Sequence, residues 1–383
     1  MQINCSQPQL LQALQKVSRA VAATTPLHAL TGILCQAEAN MLTMHGTDLD
    51  LGIIYSFPVE VLTPGQVLLP ARIFTEMVRR LPPTNLGLQS RPDNTVAITY
   101  QQSRVSLNSL DPGQFPTPPE LEGSITLALP VTVLKDAVHK VSVATSNEEG
   151  RSVFSGILLE TEPGSPQFNL VATDTHRLAV FNGQLPATTA AEPFNALISS
   201  RSLNELARLL PGEEGQVQIT IGKSQIFARY ENLKVYARLL EGKFPHYRQV
   251  IPQARTTTLT LPTRDLLETV ERAALLARDE SRGRPHIIFL QIDTDLKITS
   301  EAAQVGKLEE ELAATVEGEP ITLALNGRYL LETLRIIDTE AVMLEMLAPL
   351  KPLVVKPVGV ANYFCLILPV RVNTAPEDYQ PAV

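Results

Sequence analysis

The chain has 383 residues, 44% of them hydrophobic and 19% charged, the make-up of a soluble globular protein with length for two or three cores. Its net charge of −8 excludes a surface that is cationic all round, so any hold on nucleic-acid phosphates needs positive charge gathered on one face. No apolar run approaches the ~18 residues of a membrane span; Met1–Gln–Ile–Asn–Cys–Ser lacks the charged start and apolar core of a signal peptide, and Cys5, Cys35 and Cys365 share no metal-type spacing, so a cytoplasmic protein with reduced thiols is expected.

A short strand over Met1–Cys5 leads into a helical pattern from Pro8 to Ala22, with Leu10, Leu11, Leu14, Val17 and Val21 on one stripe. Strand-like runs follow at Gly32–Ala37, Met41–Met44, Leu49–Val61 and Gln66–Leu69. A second helix opens at Pro70–Ala71 and turns Ile73, Phe74, Met77, Val78 and Leu81 inward. Strands Thr95–Tyr100 and Arg104–Leu107 are entered through the turn Pro92–Asp93–Asn94, and the proline-rich run from Asp111 to Pro119 is a connection.

The same plan then runs twice more. The second pass has a strand at Ile125–Leu129, a helix from Pro130 with Leu134, Ala137, Val138 and Val141 inward, and strands Phe154–Glu160, Phe168–Ala172, His176–Phe181 and Phe194–Ile198. Its second helix, Ser200–Leu210, contains the capping-box pattern Ser202 with Glu205. Strands Val217–Ile221, Ile226–Tyr230 and Lys234–Leu239 lead to Phe244–Pro245, which falls where Phe115–Pro116 fell before. The third pass has strand Thr257–Leu261, helix Thr263–Arg278, strands Ile287–Ile292, Leu296–Ser300, Lys307–Val316 and Ile321–Leu325, helix Asn326–Ile337, and strands Ala341–Leu347, Leu353–Val355 and Tyr363–Val372. Leu–Pro marks a strand-to-helix passage at Leu69–Pro70, Leu129–Pro130 and Leu261–Pro262. Helix starts recur roughly every sixty to seventy residues, the signature of a repeat: three α+β modules of about 120 residues, each with two helices on antiparallel strands. The segment Asn373–Val383, polar with two prolines, reads as a disordered tail.

The cations follow the repeat. Each module's second helix carries two arginines seven residues apart: Arg72 and Arg79, Arg201 and Arg208, Arg328 and Arg335. Seven residues is close to two turns, so each pair shares a face, roughly 10 Å apart. The first helices add Lys16 and Arg19, Lys135 and Lys140, and Arg264 and Arg272, while Arg151, Arg282 and Arg284 sit in loops after them. Glu76, Glu205, Glu268, Glu271 and Glu332 share these helices, so the faces are not purely basic. Solvated helix faces explain one such pair; three equivalent pairs point to a surface that holds DNA loosely through phosphates, without reading sequence.

Leu170–Val–Ala–Thr–Asp–Thr–His–Arg–Leu–Ala–Val180 sets Asp174, His176 and Arg177 between apolar runs. Asp174 and His176 could be a base and its orienting partner. Equally, Thr173 and Asp174 could tie down a turn with His176 and Arg177 on alternate faces. Nothing completes a catalytic set: there is no Gly-x-Ser-x-Gly, no phosphate loop, no His-Glu-x-x-His and no ligand spacing among the six histidines. The turn is the stronger reading. A repair or processing enzyme and a DNA-binding scaffold that never closes remain as rival classes.

Ala172–Thr–Asp–Thr–His–Arg–Leu–Ala179, Glu241–Gly–Lys–Phe–Pro–His–Tyr–Arg248, Gly46–Thr–Asp–Leu49 and Leu368–Pro–Val–Arg–Val372, set in three repeats, resemble the bacterial sliding clamp family, the beta subunit of DNA polymerase III. The resemblance runs in order from Met1 to about Val372. It implies DNA-clamp modules over 1–123, 124–253 and 254–372, two protomers closing head to tail into a ring, helices around a central hole, and sheets outside. Duplex DNA would pass through without sequence preference. No catalysis, cofactor or metal is implied, and no membrane. The resemblance further implies a groove between modules 2 and 3, formed by Thr173, Thr175, His176, Arg177, Leu178, Pro245, Val250, Asn326, Tyr329, Leu366, Leu368, Pro369, Val370 and Arg371. There, peptides of the DNA polymerase III alpha subunit, the clamp loader, other polymerases and repair proteins would dock. Three positions depart from the family pattern: Thr175 stands where Gly is usual, Gln249 where Arg is common, and Thr24–Thr25 where an arginine often meets DNA.

Overall fold

The computed structural model describes residues 1–120, 125–146, 148, 153–161, 165–185, 193–212, 215–277, 286–302 and 306–372. The first third of the chain forms β1 (Gln2–Ser6), α1 (Gln7–Val17), β2 (Gly32–Glu38), β3 (Met41–Thr47), β4 (Leu51–Pro58), β5 (Glu60–Thr63), β6 (Gly65–Pro70), α2 (Ala71–Arg80), β7 (Asn85–Ser90), β8 (Thr95–Tyr100) and β9 (Ser103–Asn108). The middle forms β10 (Ile125–Pro130), α3 (Val131–Ser142), β11 (Gly156–Thr161), β12 (Gln167–Thr173), β13 (Arg177–Gln184), β14 (Asn195–Ser199), α4 (Ser200–Leu209), β15 (Gln216–Ile221), β16 (Gln225–Tyr230) and β17 (Leu233–Arg238). The last third forms β18 (Thr257–Pro262), α5 (Thr263–Leu276), β19 (Ile287–Ile292), β20 (Leu296–Ala302), β21 (Gly306–Leu312), β22 (Thr315–Gly318), β23 (Ile321–Asn326), α6 (Gly327–Leu334), β24 (Ala341–Met346), β25 (Leu353–Pro357) and β26 (Tyr363–Ile367).

The helices sit where the apolar spacing puts them. In α1, Leu10, Ala13, Leu14 and Val17 are fully buried, and Ser6 caps its first turn by accepting from the Gln9 N–H. The prolines of the Leu–Pro markers end their strands, and Pro70 and Pro262 stand in the cap position just before α2 and α5. Helix α2 buries Ala71, Phe74, Thr75 and Val78, one face at i, i+3, i+4 and i+7. Ile73 lies off that face and is 56% exposed, against the expectation that it points inward.

Other expectations need correction. The run Leu49–Val61 is two strands in two sheets, because Leu49 takes a left-handed turn and Pro58 ends β4. Lys307–Val316 likewise splits into β21 and β22, in different sheets. Strand β7 was not predicted, although Leu86 and Leu88 alternate into the core; Pro82–Pro83 and Gly87 mask the pattern. Ser202 is no cap, since α4 begins at Ser200 and Ser202 is buried inside it. Arg151, Arg282, Arg284 and the tail from residue 373 lie outside the described residues.

Every strand pairing is antiparallel. Four sheets result, in the orders β5-β1-β7-β8-β9, β10-β15-β16-β17-β4-β3-β2-β6, β14-β11-β12-β13-β26-β25-β24-β18-β22 and β21-β20-β19-β23. Two of them join strands from successive repeats. Strand β17 pairs with β4, through Gly52↔Tyr236 and Ile53↔Val235, and β13 pairs with β26, through Leu178↔Leu366 and Ala179↔Cys365. Contacts accordingly gather the chain into two compact units that cut across the repeat. The first is 1–134, 185–191 and 201–239, with the five- and eight-stranded sheets; the second is 135–184, 192–200 and 240–383, with the nine- and four-stranded sheets. Helix α1 lies against β3 and β4 and packs on α2; α5 lies against β20 and β21 and packs on α6.

His45, on β3, is buried, and its Nε2 and the Tyr236 hydroxyl are 2.8 Å apart in a hydrogen bond. Burial pushes its imidazole down from 6.5 to about 4. The unfolded chain therefore takes up this proton near pH 6.5, while the folded chain stays neutral until about pH 4. The contribution is complete above the upper value and is lost as pH falls through that window, by about 3 kcal/mol in all. Urea melts of the parent and of His45→Gln should diverge in slope between pH 6.5 and pH 4, the parent losing more. Parallel pH profiles would refute the assignment.

Candidate functional site

The turn between β12 and β13 is held by its own side chains. Thr173 Oγ1 donates to the Arg177 carbonyl (2.7 Å) and accepts from the Thr175 N–H (3.2 Å). Asp174 Oδ1 accepts from the N–H groups of His176 and Arg177, both at 2.9 Å. Thr175 sits at φ +80°, a conformation that costs a β-branched residue about 1–2 kcal/mol and that glycine adopts freely. The local bonds hold it there. Asp174 Oδ2 takes the Arg177 Nε at 3.0 Å. Both carboxylate oxygens are thus committed, and the His176 ring lies stacked on Tyr329 at 6.0 Å. No acid–base dyad exists here, which removes the enzyme reading built on Asp174 and His176.

Behind the turn lies an apolar cavity of about 180 Å³. Eight of the predicted groove residues line it: Thr173, Thr175, Arg177, Leu178, Pro245, Val250, Leu366 and Leu368. Phe154, His246, Tyr247 and Pro352 line it too and were missed, since no local pattern links them to the turn. Of its lining, Leu178, Tyr247 and Leu366 belong to the core cluster that also holds Leu158, Val171 and Leu197. Val250 and Leu368 remain 51% and 40% exposed, so the rim offers apolar surface to a visitor.

The other six predicted residues belong to the far side of Arg177. Its guanidinium lies 4.6 Å over the Tyr329 ring, and its Nη1 donates to Glu332 on α6 at 2.6 Å. Asn326 caps α6 by accepting from the Arg328 N–H. Leu368 N–H donates to the His176 carbonyl and Val370 N–H to the Ala324 carbonyl, which threads Leu368, Pro369, Val370 and Arg371 alongside the turn. Burial works to raise the Glu332 carboxyl, but hydrogen bonds from Arg328 and Arg177 outweigh it and hold it below the usual range.

The predicted DNA-facing cations fare differently. Arg19 and Arg208 both reach Glu205, Arg79 reaches Glu76, and Arg201 reaches Asp48. Arg264, Arg272, Arg328 and Arg335 pair with Glu268, Glu310, Glu332 and Glu271. All eight arginines stay exposed, so these pairs are weak and open to exchange. Lys16 lies 4.0 Å over the Tyr55 ring, and Lys135 is half-buried. Arg72 is exposed with no carboxylate partner among the described residues. Lys140 is a correction. It is buried, bonded to Asp136 and set against Phe181 and Tyr363, where its long stem fills apolar space.

Among the described residues no three His, Cys, Asp or Glu side chains gather as a metal ion would need, and no helix is long and apolar enough to cross a membrane. Burial pushes the Cys5 and Cys35 thiols up to about 12 and Cys365 to about 11, so all three are protonated.

A threefold α+β repeat with fused sheets, a side-chain-locked turn and an apolar groove, and no catalytic constellation at that turn, defines a docking protein of the DNA-clamp class. Models of the DNA polymerase III beta subunit match in turn its N-terminal domain at residues 1–119, its central domain at 128–246 and its C-terminal domain at 248–371. The beta sliding clamp of Halalkalibacterium halodurans is 31% identical over 373 residues, 94% of this chain and 97% of that one. That of Bacillus subtilis is 27% identical, covering 97% and 100%. Among solved structures, the Bacillus subtilis DNA polymerase sliding clamp superimposes with a TM-score of 0.92 at 27% identity, covering 97% of this chain and 99% of that one. The Pseudomonas aeruginosa clamp bound to griselimycin gives 0.92 at 26%, covering 97% and 100%. The chain belongs to the beta sliding clamp family, the beta subunit of DNA polymerase III. Its function is that of a processivity factor in DNA replication, a non-catalytic subunit of the polymerase complex.

Arg177 is buried between Asp174 and Glu332, so its removal strips the buried Asp174 of its only cation and leaves Glu332 with Arg328 alone among the described residues. Arg177→Ala should destabilise the second unit by about 2–5 kcal/mol in a denaturant titration. A loss below half a kcal/mol would mean the network contributes nothing.

Proposed function

We propose that two copies of this chain close head to tail into a ring of six modules, three from each chain over 1–123, 124–253 and 254–372, with duplex DNA held inside without sequence preference. The observation that carries this reading is the match to all three clamp domains along the whole chain. The sheet edges support it. Strands β9 and β21 end the five- and four-stranded sheets, and each leaves a row of backbone donors and acceptors unpaired. Strand β9 carries Arg104 and β21 carries Glu309, Glu310 and Glu311, so β9 of one copy suits β21 of the other in hydrogen bonding and in charge. Leu275, 73% exposed at the end of α5, gives the same interface an apolar anchor.

Arg19, just after α1, and the exposed arginines of α2, α4, α5 and α6 would face the DNA. Enclosure does the holding, so cations already paired with carboxylates are enough, and weak contacts let the ring slide. The groove behind Thr173–Arg177 would take an apolar peptide of the DNA polymerase III alpha subunit, and in turn of the clamp loader, other polymerases and repair proteins. Val250 and Leu368 would make its rim, Leu178 and Leu366 its floor, and His176, Asn326, Tyr329 and Pro369–Arg371 a second contact surface. The protein would work at the nucleoid in the cytoplasm.

Two measurements test this. Loaded onto a nicked circular plasmid, the protein should co-elute with it as a dimer and be lost on linearisation; a monomer retained equally by both forms contradicts the ring. Deleting Pro369–Val372 should weaken binding of an alpha-subunit peptide at least tenfold while leaving the dimer intact, and an unchanged titration curve contradicts the groove.

A further inference from the structure

The junction of β4 with β17 repeats that of β13 with β26, bond for bond. Thr47 Oγ1 donates to the Leu51 carbonyl (2.9 Å) and accepts from the Leu49 N–H (3.0 Å), while Asp48 Oδ1 accepts from Asp50 and Leu51 (3.1 and 2.8 Å). These are the four bonds that Thr173 and Asp174 make in the second module. The third residues, Leu49 and Thr175, share φ of +79° and +80°. Register fixes the remaining equivalences. Thr47 lies opposite Gly52 and Gly52 opposite Tyr236, as Thr173 lies opposite Leu178 and Leu178 opposite Leu366. Two residues before the threonine, His45 corresponds to Val171.

Where Leu178 and Leu366 line an open apolar cavity above the buried Val171, His45, Gly52 and Tyr236 are packed against one another and buried. The Tyr236 ring lies over Gly52 so closely that a Cβ there would come 2.0 Å from its Cζ. It stacks at 5.7 Å on Phe227, and its hydroxyl bonds His45, whose ring meets Phe115 edge-on at 5.0 Å. Phe115 comes from the connection that answers to Phe244–Pro245, where Pro245 lines the open groove.

We infer that the β4–β17 junction is a second copy of the peptide groove, closed from within by Tyr236, and that the Gly52–Tyr236 pair limits docking to one groove per chain. This rests on the docking reading above. Filling a groove with the chain's own side chain excludes a peptide sterically, a repulsive route to specificity that leaves the shared turn untouched. Gly52 is the necessary partner, since any side chain there would displace the ring.

The test counts sites per chain by native mass spectrometry and calorimetry, with an alpha-subunit peptide as probe, on the full-length dimer. The parent and Tyr236→Phe, which keeps the ring, should bind one peptide per chain. Tyr236→Ala, and the graft His45→Val with Gly52→Leu and Tyr236→Leu, should bind two. The second site should survive deletion of Pro369–Val372, which disables the first. If Tyr236→Ala unfolds, the graft decides, because it rebuilds the floor already present in the other junction. One site per chain in a variant that melts cooperatively overturns the inference alone; no site in the parent overturns the docking reading and this inference with it.

Discussion

Antiparallel pairing of β13 with β26, and of β4 with β17, is the constraint on which the rest of the molecule depends. A module of this repeat leaves an outer strand with unmet backbone donors and acceptors, and the next repeat meets them. The fusion turns separate sheets into continuous eight- and nine-stranded ones. It also decides where a groove forms. The Thr–Asp turn before each fusion strand stays tied to the neighbouring strand, through Leu368 N–H to the His176 carbonyl and Arg238 N–H to the Asp50 carbonyl, and what fills the space beneath depends on the residues facing each other across the ladder. At β13–β26 those are Leu178 and Leu366, too short to close it. On the proposed reading, the same pairing between chains at the edge strands β9 and β21 would turn a linear repeat into a closed ring.

Charge plays a secondary part by design of the pairing. Most of the exposed arginines just after α1 and on α2, α4, α5 and α6 are not bare; eight of them share a carboxylate within the same unit. Exposed pairs of this kind are worth at most about 1 kcal/mol, so on the proposed reading a passing phosphate would borrow an arginine at little cost and return it. An acidic protein with a permanently naked basic face would grip; one with exchangeable pairs lets go. Glu332 ties this surface to the groove turn, since it accepts from Arg328 on the helix face and from Arg177 beneath it.

Much of this was legible in the residues, and the failures have physical causes. Helical stripes such as Leu134–Ala137–Val138–Val141 were readable because period 3.6 over three turns is hard to mimic, and all four prove buried. The Thr173–Asp174 turn was readable because Thr and Asp side chains bond their own backbone locally. Sheet membership was not: Leu49–Val61 reads as one run, but its halves pair with partners about 60 and 180 residues away, and nothing local encodes that. The third module has no copy of this turn at the corresponding Ser300–Glu301, since both lie inside β20, laddered to β21. Lys140 looked like a surface cation on a helix, and only the packed aromatics of β13 and β26 show that its stem is interior. Tyr247 and Phe154 entered the groove by tertiary folding alone.

The two junctions show how a repeat acquires different duties without changing its frame. Their turns are the same object: the same four hydrogen bonds, the same left-handed third residue, the same next-module strand alongside. Only the residues one and two layers deeper differ. His45, neutral and hydrogen-bonded, orients the Tyr236 ring across a glycine, and the junction becomes core. Val171, Leu178 and Leu366 carry no such ring, and the junction stays open with Arg177 holding its rim to α6. Stability considerations would favour filling both, since an open apolar cavity of this size forfeits contacts that a side chain could make. That one is filled and the other is not makes the open junction a retained cost rather than an accident of packing, and a retained cost at an apolar rim is what a docking site requires.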